Sequence, residues 1–66
     1  MKESMEAVAT WFSSEVASWF DESELAEIEE HARTLAEEES HGAFHHRGTI
    51  PIMYKLDDDG TTLYIF

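Results

Sequence analysis

From Glu3 to Phe20 the apolar residues Met5, Val8, Phe12, Val16 and Trp19 recur at steps of three, four, four and three, the period of an amphipathic helix. The pattern predicts a helix over about residues 3–20. At about 100° per residue, Trp11 falls on one flank of the stripe and Phe20 on the other, so the apolar arc covers roughly half the cylinder. That is wider than one neighbouring helix can cover. Asp21-Glu22-Ser23-Glu24 follows as a capping box, in which the Asp21 side chain accepts from the Glu24 amide and the Glu24 side chain reaches back toward Asp21. A second helix is expected over about 22–40, with Leu25, Ile28, Ala32, Leu35 and Ala36 on one narrow stripe and Gly42 placed to end it. With so short a connection, the two helices should form an antiparallel hairpin, the alanine side of the second receiving the aromatic side of the first.

After Gly42 the period changes. Ile50, Ile52, Tyr54 and Leu56 alternate with Thr49, Pro51, Met53 and Lys55, the signature of a strand with one buried face. Leu63-Tyr64-Ile65-Phe66 is apolar on both faces, and Ala43 to His46 offers a third short strand. Turn signals stand at Arg47-Gly48 and at Asp57-Asp58-Asp59-Gly60, where Gly60 supplies a positive dihedral. Pro51 donates no ladder hydrogen bond and places the start of its strand at an edge or an irregularity. The expected fold is a single α+β domain over residues 1–66: an N-terminal antiparallel helical hairpin followed by a two- or three-stranded antiparallel β-meander over about 43–66.

Composition narrows the functional classes. The 66 residues hold fifteen Asp and Glu against four Lys and Arg, a formal charge of −11. Such a surface disfavours gripping phosphates or an anionic membrane, so neither nucleic acid nor membrane is an expected partner. There is no cysteine, hence no disulfide and no thiolate site. No apolar run approaches the ~18 residues that cross a bilayer, and the start of the chain does not read as a secretion signal. A cytoplasmic location is the expectation. No glycine-rich phosphate loop and no strained nucleophile turn is present, since Ser13 and Ser14 sit within a helical pattern; no catalytic residue and no cofactor is expected.

Nine of the fifteen acids lie between Asp21 and Glu39. With the apolar stripe of the second helix turned inward, Glu27, Glu30, Glu37 and Glu38 point outward. Like charges one turn apart weaken a helix by a few tenths of a kcal/mol per pair, which suggests a use other than helix stability. Over a continuous helix these acids span roughly 17 Å at 1.5 Å per residue, comparable with a few phosphate steps of nucleic acid. They would suit a basic protein partner that handles nucleic acid: a nuclease, polymerase, repressor or RNA-guided complex. Small acidic inhibitors made by phages and mobile elements act as DNA mimics on this principle. The functional expectation is therefore a small, non-catalytic inhibitor or modulator.

Two further features extend the picture. Trp11, Trp19, Phe20, Tyr54, Tyr64 and Phe66 are more apolar surface than a helix pair and a hairpin hide, so Trp11 and Phe20 are expected to supply a hydrophobic partner contact or the seam of a homodimer. His41, His45 and His46, with Glu37 or Glu38 one turn before His41, form the alternative expectation of a metal-responsive protein. In a strand, however, His45 and His46 point to opposite faces, and without metal His41 is placed to close the second helix. The other alternative is an acidic domain of a high-salt cytoplasm whose charge serves only solvation.

Overall fold

Thr10, Trp11 and Phe12 are residue types that favour an extended backbone. In a computed structural model, which describes residues 8–66, Ala9–Phe12 forms a strand, β1. The helix that follows is short, α1 (Ser14–Trp19), and it begins where Ser13 takes the cap position and accepts from the Val16 amide at 3.2 Å. The expected helix over 3–20 is thus replaced by a strand and a six-residue helix. Its stretch before Val8, with Met5, lies outside the described residues.

Asp21 caps α2 (Glu22–Ala36), its Oδ1 accepting from the Glu24 amide at 2.9 Å. The reciprocal half of the capping box does not form. The Glu24 carboxylate instead turns to the end of β2 and its turn, where it lies 3.4 Å from His46 Nε2 and accepts from Arg47 Nε at 3.0 Å, a charge-assisted bond that is stronger than one to an exposed backbone amide. α2 ends at Ala36 rather than near residue 40. Ser40 leaves the helix to accept from the Leu56 amide at 2.6 Å, and His41 does not cap α2 but opens the next strand.

Three strands complete the chain: β2 (His41–His46), β3 (Ile50–Leu56) and β4 (Thr62–Ile65). β2 with β3, and β3 with β4, pair antiparallel. β1 then adds to β4 in parallel, with Ala9 opposite Thr62 and Phe12 opposite Ile65, giving a four-stranded sheet in the order β1-β4-β3-β2. This mixed sheet overturns the expected helical hairpin followed by an antiparallel meander. A parallel pair needs a long crossover, and here the crossover is everything from α1 to β3.

The first hairpin turns through Arg47 and Gly48, both at positive φ (56° and 79°). For Arg47 that conformation costs about 1 kcal/mol or more, offset in part by its Nε donating to Glu24 at 3.0 Å. Gly60 closes the second hairpin at φ 70°.

α2 lies across β2, β3 and β4 on one face of the sheet. Ile28, Ala32 and Ala36 meet Phe44, Ile52, Tyr54, Leu63 and Ile65 there, and Val16 of α1 joins the same core. The small alanines bring the helix axis close to the sheet. Among the described residues no helix is long and apolar enough to cross a membrane.

Candidate functional site: two opposed surfaces

Because strand side chains alternate, each buried position on the helix-covered face has a counterpart on the other. The other face carries Ala9 and Trp11 from β1, His41, Ala43 and His45 from β2, Pro51, Met53 and Lys55 from β3, and Thr62 and Tyr64 from β4. Among the described residues no element packs upon it. Trp11 is 50% exposed, Met53 51% and Phe66 45%.

Register sets these side chains in rows. Trp11 stands beside Tyr64, Tyr64 beside Lys55, and Lys55 beside His41, so one row crosses all four strands. The Trp11 and Tyr64 rings meet edge to face, with centroids 5.6 Å apart. In the next row Met53 and Phe66 exchange backbone hydrogen bonds of 2.8 and 2.9 Å, and Ala43 completes the line. No carboxylate stands at any of these strand positions.

The acids of α2 collect on the opposite side of the sheet, while Asp57, Asp58 and Asp59 stand in the turn between β3 and β4. Glu27 and Glu30 are exposed on the outer face of α2. Glu37 occupies its C-cap, and Glu38 lies just beyond, so the four do not sit on one continuous helix as expected. None of the four makes an ion pair with a described residue. The two arginines are engaged elsewhere, Arg33 with Glu29 at 3.2 Å and Arg47 with Glu24, and Lys55 stands on the open face of the sheet.

Trp11 and Phe20, expected to share one hydrophobic contact, are separated by the sheet. Phe20 is half-buried on the helix side, edge-on to the His46 ring at 5.3 Å and packed against the core. The cause is the strand at β1: a helical wheel put both residues on one cylinder, whereas Trp11 belongs to a strand and Phe20 caps α1.

The histidines divide in the same way. His41 and His45 project from the open face, four residues apart and thus roughly 13 Å along the strand. His46 is buried beneath the helix, with Nε2 3.4 Å from Glu24 Oε2. The described residues bring no three His, Asp or Glu side chains together as a metal site, and the alternative set of His41, His45 and His46 is not assembled.

Sequence reasoning named Trp11, Tyr64 and Phe66 as surplus aromatics but did not join them, and it missed Met53. The alternation of β3 already set Met53 and Lys55 apart from the core positions. What was absent was β1, the strand that extends this face by Trp11.

Tyr54 is buried on the helix side, and its phenol is held above its ordinary pKa, first by burial and then by the nearby Glu39 carboxylate. Its partner in register is Gly42, over which the ring lies.

No protein-family profile matches this chain, and neither a curated protein nor a solved structure is significantly similar to it.

Proposed function

We propose that this chain is a small, non-catalytic protein-binding inhibitor or modulator that lays the carboxylate face of α2 on a basic, nucleic-acid-handling partner. The observation that supports this reading is the isolation of Glu27, Glu30, Glu37 and Glu38. They are exposed, and none of them forms an ion pair with a described residue. From Glu27 to Glu37 the axial rise is about 15 Å at 1.5 Å per residue, close to nine phosphate charges of duplex nucleic acid at ~1.7 Å each. A partner surface built to neutralise phosphates would find charge at comparable reach, though at lower density.

The chemistry of such binding is long-range attraction followed by rim contacts. A field from a chain of formal charge −11 steers a basic partner into encounter and weakens steeply with added salt. Trp11 takes no part, because it stands on the far face of the sheet.

The test is capture from the source cells with wild-type protein and with the Glu30→Lys/Glu37→Lys variant, washed at low and then high salt. A basic nucleic-acid-handling protein held by the wild type, released by salt and absent from the variant is the expected result. Equal capture by both proteins overturns the reading, as does a captured set in which acidic proteins predominate.

A further inference from the structure

The open sheet face is a second surface, independent of the acidic helix, and its composition says what covers it. We infer that it is the seam of a homodimer in which two copies pack sheet against sheet, with Trp11, Tyr64, Met53 and Phe66 of each copy buried between them. The occupant is a second copy of this chain for three reasons.

Area is the first. Three of these side chains have about half their surface open, which for residues of 150 to 250 Å² leaves roughly 300 Å². The four strands hold 21 residues, which at about 3.3 Å rise and 4.8 Å spacing is roughly 330 Å² in projection and more in accessible surface. Two copies would then bury on the order of 1,000 Å², the threshold for a specific interface.

Charge is the second. Two chains of −11 repel, and only a contact that keeps their carboxylates apart is tolerated. The open-face strand positions carry Lys55 and no carboxylate, the α2 acids lie on the opposite side, and Asp57, Asp58 and Asp59 are confined to the turn at the end of the sheet. Sheets packed ~10 Å apart, with a helix ~10 Å thick outside each, place the two acidic faces roughly 30 Å or more from one another. That is several Debye lengths at physiological salt.

The third is the state of the β1 edge. The Val8 carbonyl accepts from Arg33, and the Thr10 side chain is bonded to Arg33 and Glu29, so α2 side chains lie against the edge along which another strand would add. Of the surfaces that remain, the β2 edge among them, the open face is the one that carries Trp11, Met53 and Phe66, so face-to-face packing is the association that buries them. It gives an aligned sandwich with a helix layer on each outer side.

Sedimentation equilibrium of the full chain from low to high micromolar concentration tests this. The expected mass is twice 7.6 kDa. Trp11→Gln/Met53→Gln keeps the net charge and changes only exposed positions, and two-fold symmetry makes each change felt twice. It should weaken the dimer more than about a hundredfold, with an unchanged far-UV spectrum. Trp19→Gln, at an exposed residue off this face, should dimerise as the wild type does.

A readout that needs no disruptive variant is the Trp11 emission in a Trp19→Phe background, which should move to the blue in step with the rise in mass. A wild-type chain that stays at one-copy mass throughout overturns the inference. So does a doubling of mass with Trp11 emission unmoved, which would place the seam elsewhere.

Discussion

Arg33 of α2 donates a 2.8 Å hydrogen bond to the Thr10 hydroxyl of β1, twenty-three residues earlier in the chain. Thr10 in turn donates to Glu29 Oε2 at 2.6 Å, and Arg33 Nε donates to the same oxygen at 3.2 Å, closing a three-residue ring. With its further bond to the Val8 carbonyl, Arg33 ties the edge strand to the helix. Arg33→Met keeps an unbranched apolar stem and removes the donors. The expected cost is about 1.5–3 kcal/mol, the range for hydrogen bonds to a charged group. Amide exchange should show the loss of protection concentrated in β1, with β3 retaining its own. Uniform loss across the sheet would mean that Arg33 does not act on β1.

Gly42 and Tyr54 are register partners, and a Cβ at Gly42 would stand 3.0 Å from the phenol oxygen and 3.2 Å from two ring carbons. Because Tyr54 is buried, its ring has little room to retreat. Gly42→Ala should therefore destabilise the protein by about 1–2 kcal/mol, overpacking outweighing the entropy gained by replacing glycine. In a Tyr54→Phe background, where the nearest clashing atom is gone, the cost should shrink. Urea midpoints of the four proteins give the coupling directly.

The raised Tyr54 pKa carries a pH dependence of known sign. The unfolded chain loses this proton near the ordinary value of 10.0, whereas the folded chain holds it to higher pH. The contribution to stability is therefore fully present below pH 10.0 and is lost as pH rises from there through the folded value. Wild type minus Tyr54→Phe, compared by denaturant midpoint at neutral and strongly alkaline pH, should show the difference moving against the wild type only on the alkaline side. A difference that does not change with pH would remove burial of the phenol as its cause.

Asp21 carries the start of α2 on one side-chain oxygen. Asp21→Ala should cost about 1 kcal/mol and Asp21→Asn much less, since asparagine caps nearly as well. Thermal unfolding would register this as a fall of roughly 4–8 °C for a domain of this size. Ser13→Ala acts on the six-residue α1 in the same direction.

The Glu30→Lys/Glu37→Lys variant proposed as a functional test also has a stability signature. Reversal at Glu30 relieves its repulsion with Glu27, but both new lysines stand one turn from Arg33, so stability should change by no more than a few tenths of a kcal/mol. Lost partner capture in a variant about as stable as the wild type would assign the effect to binding. A large fall in its melting temperature would instead assign these acids a place in the fold.

Several elements were determined by local sequence. Asp21 followed by the stripe Leu25, Ile28, Ala32, Leu35 and Ala36 specifies α2 and its buried side, because the cap and the 3.6-residue period act within one segment. The alternation from Ile50 to Leu56 and the glycine at position 60 specify β3 and its following turn for the same reason. What the sequence determined of the candidate surfaces was that Glu27 and Glu30 face solvent and that aromatics are in surplus.

β1 was decided only by tertiary structure. Val8, Phe12 and Val16 are spaced by four, and residues four apart share a face in a helix and in a strand alike, so the spacing could not choose between them. The choice fell to a partner far along the chain: β4, which pairs with β1 through Ala9 and Thr62, and Arg33, which holds the strand in place. That parallel pairing put Trp11 beside Tyr64 and Phe20 on the opposite side of the sheet. It thereby joined scattered aromatics into one open face, because which residues share a surface depends on contacts between segments that no local period records.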